Sequence, residues 1–364
     1  MKIQVQALDT LFFRDGKPFT GGEEVWADML FPPSPSVIYG ALRGKYFSEQ
    51  IATFQQANEP NDPTNTLKIK AIALQSDDTV LFPIPLDYGK EKGDPTNKAF
   101  LLKNRVSVPV SNCPVKNVFV GNPTKIIENI ENGLLDCDGM NGYLSGQAIE
   151  NFYMKLSDYI IPEPKLGIGR ENQTHVSQDG RLYRIDMRRL ESKMTFGNER
   201  TQSISIFIEF EGLSIPEQGL FRLGGEGKAV HYATSEGMLP EKPQLSGTRF
   251  KLYLATPASF EQGWLPKWID KNTLQGVYQR AGSHKSVAIR LETAMIGKPM
   301  VIGGFDMQKH APKKMRKAVP AGSVYYFEIV NGAMQDALDL FHAQAISDYD
   351  AQQGFGLTFV GGVA

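Results

Sequence analysis

The sequence has few of the residues that covalent or metal frameworks need. Its 364 residues include two cysteines, Cys113 and Cys137, and five histidines. The cysteines form no CxxC pair and no two histidines are four residues apart, so neither a disulfide framework nor a helical zinc site is indicated. We therefore expect no bound metal.

Long apolar runs are missing as well. No segment approaches the roughly 20 apolar residues that span a bilayer, and the first residues, MKIQVQALDT, lack the apolar stretch of a signal peptide. The composition, 41% hydrophobic and 22% charged, is that of a soluble globular protein. We expect a cytoplasmic protein without membrane contact.

Neither sign of charge dominates, since the formal net charge is -1 at pH 7. A protein that coats nucleic acid through its overall charge is thereby excluded. Any nucleic-acid site has to be local, and acidic surface elsewhere remains free to face a protein partner.

Complete nucleotide-binding motifs are absent. The glycine-rich segment GGEGKA at 224–229 departs from a Walker loop at Arg222 and Ala229, and from a dinucleotide fingerprint at Val230. We expect no NTPase and no cofactor. Two interpretations of this segment remain open: a hairpin that lets the backbone and Lys228 approach RNA, or a tight turn.

A complete catalytic group is not visible either. No GxSxG elbow occurs, and the acid and base groups available to a metal-independent ribonuclease are His231 with Tyr232 and Lys228, and the lysines near His310. A histidine in a basic loop more often contacts phosphate than catalyses. We expect no catalytic residue, and keep the ribonuclease as the alternative.

The most informative stretch that is present runs from 302 to 330. A double glycine, Gly303-Gly304, precedes five closely spaced basic residues and a β-branched, aromatic strand from Val324 to Val330. The basic residues are Lys309, Lys313, Lys314, Arg316 and Lys317. A basic loop held by a buried strand is typical of a phosphate-contacting loop, although lysine clusters are often only solvated.

Hydrophobic periodicity predicts strands and helices in both halves of the chain. In the first half these are a strand at 2–8, a helix that begins at Pro35 after the N-cap Ser34, a surface loop at 57–66, two strands at 67–88 and a short helix at 148–159. Residues 89–146 show no clear period. The stretch 165–190 reads as a protruding basic β-hairpin, with a turn at Asp179-Gly180.

The second half repeats this kind of pattern. Ile204, Ile206, Ile208 and Phe210 alternate as an opening strand, FKLYLATP and ASFEQGWLPKWID read as a strand and a short helix, and a helix over MQDALDLFHAQAI precedes the final GFGLTFVGG strand. We predict an α+β protein with two ferredoxin-like (RRM-like) domains, at 1–200 with an insertion at about 57–146, and at 201–364.

Several ordered blocks together resemble a known family. They are ALDTLFFRDGKPF, FPPSPSVIYGALRG, GIGRENQT with GRLYRID, FRLGGEGK, GGFDMQKHAPKKMRKAVPAGSVYYFEI and GFGLTFVGG. In this order they are similar to the RAMP-type subunit of the type III-B (Cmr) CRISPR effector complex that holds the 5′ handle of the CRISPR RNA. The resemblance covers nearly the whole chain except the insertion at about 57–146.

The resemblance implies a non-catalytic, RNA-binding subunit that caps the complex in antiviral defence. Its partners would be the CRISPR RNA, the large polymerase-like subunit and a repeating backbone subunit. Carried over by position, the RNA contacts are Arg14, Lys17, Arg43, Lys45, Arg170, Arg181, Arg184, Arg222, Lys228, His231, Gly303, Gly304, Lys309, Lys313, Lys314, Arg316, Lys317, Gly354 and Gly356. No aromatic RNP-type strand motif is present, which favours binding by loops and the hairpin over stacking on an open sheet. A protein-only assembly subunit is the third hypothesis.

Overall fold

The structure, a computed structural model, describes residues 1–13, 26–27, 31–105, 114–115, 117–120, 125–147, 150–174, 176–191, 204–306 and 311–363. Most of the regular structure in these residues is β-strand. The α+β class predicted from the sequence is confirmed. None of the helices described is long and apolar enough to cross a membrane.

The strands, in chain order, are β1 Lys2–Ala7, β2 Trp26–Ala27, β3 Lys68–Ser76, β4 Thr79–Pro83, β5 Tyr88–Glu91, β6 Lys98–Leu101, β7 Lys103–Arg105, β8 Val118–Val120, β9 Ile127–Asn129, β10 Gly133–Asp136, β11 Glu150–Phe152, β12 Met154–Lys155, β13 Ile160–Arg170, β14 Ser177–Leu190, β15 Ile204–Glu211, β16 Gln218–Arg222, β17 Ala229–Thr234, β18 Arg249–Leu254, β19 Gln275–Gln279, β20 Ser286–Met295, β21 Met300–Ile302, β22 Phe305–Asp306, β23 Ala311–Pro312, β24 Arg316–Ala318, β25 Val324–Asn331, β26 Gln344–Ala345 and β27 Leu357–Gly362. The α-helices are α1 Pro35–Glu49, α2 Cys137–Leu144 and α3 Met334–Phe341, and short 3-10 helices lie at Ile51–Gln56, Leu156–Asp158 and Ala351–Gln353.

Two large sheets carry the fold. The first has the order β12-β10-β4-β3-β15-β1-β17-β16, and the second has the order β19-β20-β25-β18-β27-β26. Smaller sheets are formed by β13-β14-β2 and β11-β6-β5-β9, and three ribbons by β21-β24, β22-β23 and β7-β8.

Four adjacent strands in each large sheet follow one antiparallel order. The sets are β3-β15-β1-β17 and β20-β25-β18-β27, so each runs second, third, first, fourth in chain order. A ferredoxin-like unit has this order with two crossover helices. In the first set α1 connects β1 to β3, but no α-helix connects β15 to β17. In the second set α3 connects β25 to β27, but no α-helix connects β18 to β20, and the structure describes all of 204–306. The ferredoxin-like description therefore stays a prediction.

Three apolar layers hold the sheets. Ile38 and Leu42 of α1 pack on one face of the first sheet, and α3 packs on the outer face of the second. A third cluster lies between the two sheets and includes Phe207, Tyr253 and Phe359. Because both faces of the first sheet are covered, its central strands are buried on both sides.

A buried polar network crosses the layer between the sheets. The Asp87 Oδ2 accepts hydrogen bonds from the hydroxyls of Tyr143 in α2 (2.8 Å) and Tyr326 in β25 (2.5 Å). The Lys251 Nζ in β18 lies 3.4 Å from the centroid of the Tyr143 ring, and burial lowers the pKa of this lysine to about 8. Bonds of this kind are strong where water is excluded, so the network ties the inserted α2 to the second sheet.

The domain boundary predicted at residue 201 separates β15, β16 and β17 from the sheet in which they pair. β15 pairs with β1 and β3, and β17 pairs with β1, so residues 204–234 complete the first sheet rather than open the second. The alternation of isoleucines correctly indicates a strand, but period alone does not identify a strand's partners. All five residues from Ile204 to Ile208 are buried, as a central strand requires.

Two predicted helices and one predicted turn are wrong. Residues 150–158 form β11, β12 and a 3-10 turn, and no α-helix occurs in 255–285, all of which the structure describes. In the latter stretch Gly263 has φ +82° and Pro266 lacks an N–H donor, so a helix is interrupted. The basic hairpin is confirmed as β13-β14, but Asp179-Gly180 lies within β14, which begins at Ser177, and the Glu171 N–H donates to the Val176 carbonyl at 2.9 Å before that strand.

Candidate nucleic-acid interface

A cavity of about 550 Å³ opens beside the predicted basic loop, and we call it the basic cleft. Four segments that are far apart in the sequence form it: the start of α1, Ser259 after β18, described residues from the end of β21 to the start of β24, and the turn that precedes β27. The lining residues are Ser36, Ser259, Ile302, Gly303, Ala311, Pro312, Lys313, Lys314, Arg316, Asp350, Gln353 and Phe355. The structure thus brings the predicted 303–317 loop and the predicted 354–356 turn together.

The lysines of the cleft are unpaired. Lys313, Lys314 and neighbouring Lys317 are exposed, and none forms an ion pair with any residue that the structure describes. The backbone N–H of Lys313 donates to the Gly304 carbonyl at 2.9 Å, and Gly304 has φ +153°. This hydrogen bond fixes the backbone of Lys313 beside Gly304, while the lysine ammonium groups stay available to a ligand.

Arg316 is held in place. Its Nη1 lies 3.1 Å from the Asp350 Oδ2, and its guanidinium carbon lies 4.1 Å from the centroid of the Tyr349 ring. The two contacts restrain the guanidinium in the cleft wall, where the ion pair partly neutralises its charge.

Gly354 and Gly356 are buried, and packing alone explains why they are glycines. Gly354 has φ +97°, and a Cβ there would come within 2.8 Å of the Ile69 Cγ2. Gly356 has φ +75°, and a Cβ there would lie 2.6 Å from the Ser347 N, while its own N–H donates to the Pro257 carbonyl. Both glycines shape the turn that carries Gln353 and Phe355 into the cleft.

A second group of predicted residues surrounds the chain after β1. The glycine hairpin between β16 and β17 packs there, since the Gly225 N–H donates to the Phe12 carbonyl at 2.8 Å and a Cβ on Gly224 would meet the same carbonyl. The Lys228 ammonium pairs with Asp9. This hydrogen bond, with one from the Thr10 backbone, lowers the pKa of Asp9 to about 2. The hairpin is therefore a tight turn whose lysine is paired, and its approach to RNA stays a prediction.

The base of the basic hairpin also contacts the chain after β1. Leu11 and Arg188 exchange backbone hydrogen bonds of 2.8 and 2.9 Å, and β2 pairs with Arg184 and Ile185 farther along β14. Leu11 and β2 thus both contact β14. Arg14 and Lys17 lie outside the described residues, as does Lys309.

The other predicted cations in this region differ in their surroundings. Arg170 at the hairpin end and Arg222 at the end of the edge strand β16 are exposed and unpaired within the described part of the chain. Arg181 lies in β14 at a position whose side chain is outside the description, and Arg184 faces Leu166 in register. Arg170 and Arg222 are therefore available to a polyanion.

The two predicted cations on α1 are engaged inside the protein. The Arg43 Nη2 lies 2.5 Å from the Asp62 Oδ2, and its Nε donates to the Thr64 Oγ1 at 2.7 Å. Burial would raise the pKa of Asp62, but hydrogen bonds from Thr64 and Asn58 and the Arg43 charge lower it. The predicted surface loop at 57–66 is thus folded around a buried carboxylate.

Lys45 is even less accessible. Only 7% of its side chain is exposed, its ammonium pairs with Glu49, and its Nζ lies 5.6 Å from the centroid of the Tyr232 ring. The i,i+4 spacing of Lys45 and Glu49 was a sequence signal for this pairing.

His231 does not assemble with its candidate catalytic partner. It lies in β17 opposite Gln6 and Leu220, half-buried, whereas the neighbouring Tyr232 is fully buried in the cluster under α1. Successive strand residues point to opposite faces, so these two side chains cannot act on one phosphate. His310 lies outside the described residues. Among those described, no group of three or more His, Cys, Asp and Glu side chains could hold a metal ion.

Some cleft residues had no sequence signal. Ser36, Ser259, Asp350 and Gln353 stand in ordinary loop or helix-start sequences, and only the fold brings them beside the lysines.

A comparison of the sequence with protein families gives a match over almost its full length. The family model described as "CRISPR-associated protein (Cas_Cmr3)" matches residues 3–363. The chain belongs to the Cas_Cmr3 family. The predicted resemblance to the RAMP-type subunit of the Cmr complex is confirmed. No curated protein shows a significant match to the sequence.

Solved structures share the fold of this Cas_Cmr3 chain. A chain of the type III-B Cmr-beta complex bound to cognate target RNA and AMPPnP, state 1, solved by cryo-EM, is 15% identical with a TM-score of 0.52. A chain of the type III-B Cmr-beta complex bound to cognate target RNA is 18% identical with the same TM-score. Each alignment covers 90% of this chain and 86% of the other.

Proposed function

We propose that this Cas_Cmr3 chain is a non-catalytic RNA-binding subunit of a type III-B effector complex in the cytoplasm. It anchors the 5′ handle of the CRISPR RNA and caps the complex beside the large polymerase-like subunit and a repeating backbone subunit. The observation that carries the proposal is the basic cleft, in which exposed, unpaired lysines stand on a fixed loop.

The arrangement suits a single-stranded RNA end. Phosphate contacts from lysine and arginine supply affinity and set the register of the strand, and unstacked nucleotides need pockets beside them. Unpaired cations at Lys313, Lys314, Lys317, Arg170 and Arg222 provide the first requirement. The cleft provides the second.

The absence of catalysis is part of the proposal. Its support is the separation of His231 and Tyr232 on opposite faces of the first sheet. Incubation of the purified protein with repeat RNA, without metal, should leave the RNA intact. A defined cut would favour the ribonuclease of the same superfamily instead.

The decisive experiment is crosslinking in the assembled complex. A guide RNA with a photoreactive nucleotide in its 5′ handle is irradiated, and the adducts on this chain are mapped by peptide analysis. We expect adducts within 303–317, 165–190 or 222–231. Adducts confined to the neighbouring subunits would leave this chain as a protein-only cap and reject the handle-anchoring role.

A further inference from the structure

A single carboxylate lies between cations of the glycine hairpin and the basic hairpin. Asp9 follows β1, and its carboxylate pairs with the Lys228 ammonium of the glycine hairpin. Lys165 of β13 approaches the next residue, since its Nζ lies 3.3 Å from the Thr10 Oγ1. Two segments that the sequence predicts to contact RNA therefore meet at one anion of the protein itself.

The pair of Lys228 and Asp9 is at the surface and stays charged. The two side chains are 17% and 52% exposed, respectively. The hydrogen bond from Lys228, one from the Thr10 backbone and the charges of Lys228 and Lys165 lower the pKa of Asp9 to about 2. Asp9 is therefore ionised at neutral pH. Exposed ion pairs add little to stability, so the main consequence of this pair is for the charge that the surface presents.

A carboxylate and a phosphate are competing partners for a lysine. Both present anionic oxygens that accept charge-assisted hydrogen bonds from an ammonium group. The Asp9 carboxylate takes the position on Lys228 that a phosphate oxygen of RNA would need. A phosphate that binds Lys228 must first displace Asp9, which is present at a high effective concentration because it belongs to the same chain.

The rest of the glycine hairpin shows what Asp9 changes. Arg222, at the start of the hairpin, is exposed and forms no ion pair with the residues that the structure describes. Glu226, near the tip, is likewise exposed and forms no ion pair within the described part of the chain. Of the two cations that flank the glycines, Arg222 is therefore available to RNA and Lys228 is engaged.

We propose that Asp9 is a specificity-determining residue of the RNA interface, because its carboxylate competes with RNA phosphates for Lys228. A phosphate contact carries no sequence information and strengthens the binding of any RNA. By occupying Lys228, Asp9 limits the affinity for unrelated RNA and leaves discrimination to the contacts that read bases. This inference rests on the proposed RNA-binding function and adds the residue that restrains non-specific binding.

The test is a salt titration of the purified chain with an unrelated single-stranded RNA. The variant is Asp9→Asn, which removes the charge and keeps an acceptor for the Thr10 backbone N–H. We expect the slope of log affinity against log salt to steepen by about 0.7, the value of one single-strand phosphate contact. The affinity gain over the original protein should then be about 2.5-fold larger at 50 mM than at 200 mM salt. In Asp9→Asn/Lys228→Ala the slope should return to that of Lys228→Ala.

The matched control is Glu226→Gln, which removes one negative charge from the same hairpin at a residue that forms no ion pair with Lys228 and should leave the slope unchanged. An equal increase in both variants, or a gain that persists in the double variant, would mean that only local charge matters and would overturn the role of Asp9. An unchanged slope in Asp9→Asn, with handle RNA still bound, also overturns it and leaves the anchoring role standing. An original protein that binds neither RNA would reject both proposals.

Discussion

The basic residues of α1 and those of the 313–317 segment look alike in the sequence but have opposite surroundings in the fold. Arg43 and Lys45 are enclosed by Asp62, Thr64, Glu49 and the Tyr232 ring. Lys313, Lys314 and Lys317 are exposed and unpaired in the described structure. A cation's neighbours, rather than its position in a motif, therefore decide whether it is free to bind a polyanion.

The largest effect should come from removal of the buried carboxylate behind α1. Asp62→Ala leaves Arg43 unpaired and removes the acceptor of the Asn58 and Thr64 backbone N–H groups. We expect a loss of about 3 kcal/mol in the free energy of unfolding, measured by urea denaturation. RNA affinity per folded molecule should not change.

The matched control is Asp78→Ala, at an exposed turn, which should leave the free energy of unfolding within about 0.5 kcal/mol of the original. If Asp62→Ala or Arg43→Ala weakened RNA binding without a loss of stability, Arg43 would belong to the interface and the comparison would fail.

Removal of the free lysines should weaken RNA binding without lowering the free energy of unfolding. In Lys313→Ala/Lys314→Ala/Lys317→Ala we expect an unchanged urea midpoint and weaker RNA binding. The slope of log affinity against log salt should fall by about 2, since three single-strand phosphate contacts contribute about 0.7 each. Titrations at several salt concentrations measure this slope.

An equal charge change elsewhere provides the control for the lysines. Lys68→Ala/Lys267→Ala/Lys271→Ala alters three other exposed lysines and should leave the slope unchanged. Equal slopes for the two triple variants would mean that only the overall charge matters, and the 313–317 segment would lose its assigned role.

A finer contrast exists within one hairpin. Arg222 is exposed and unpaired in the part of the chain that is described, whereas Lys228 pairs with Asp9. Arg222→Ala should lower the salt slope by about 0.7, and Lys228→Ala by less, because the paired lysine adds little net charge to the surface. The opposite ranking would show that RNA displaces Asp9 from Lys228.

The smallest effect concerns acid stability. The Lys228 pair lowers the pKa of Asp9 from 3.8 to about 2, so its contribution to stability is complete above pH 4 and is lost as the pH falls towards 2. Thermal unfolding profiles should therefore decline less steeply between pH 4 and pH 2 in Asp9→Asn than in the original protein. Parallel profiles would mean that the pair does not persist in solution.

The sequence predicts the local parts of this fold well. The period-2 patterns of β1, β3 and β15 and the helical spacing in α1 and α3 are properties of short segments. The three strands form where they were predicted and both helices begin where they were predicted, but α3 ends at Phe341 and the predicted helical residues Gln344–Ala345 form β26. The partners of β15 depend on strands more than 120 residues away, which no local pattern specifies. The helix predicted at 148–159 is replaced in 150–158 by strands and a 3-10 turn, and Phe152 is 68% exposed on the edge strand β11.

The candidate site follows the same division. The sequence indicates the 303–317 loop and the 354–356 turn, and the fold places both at one cleft. It does not reveal that Asp62 encloses Arg43, or that Ser259 and Gln353 join the lysines, because these contacts link segments from different parts of the chain. Local pattern indicates where the basic residues lie in the chain, and long-range packing decides which of them are paired and which stay exposed.

The polar network around Asp87 helps to form the basic cleft during folding, because it holds the two large sheets together. Ser36 follows the first strand of one sheet, and the other cleft residues belong to the second half of the chain, so the cavity exists only while the two sheets keep their relation. The hydrogen bonds of Tyr143 and Tyr326 to Asp87 fix part of that relation in the dry layer between the sheets. The residues of the cleft therefore lose conformational entropy when the protein folds. A ligand then binds a cleft that is already ordered, and binding has a smaller entropic cost.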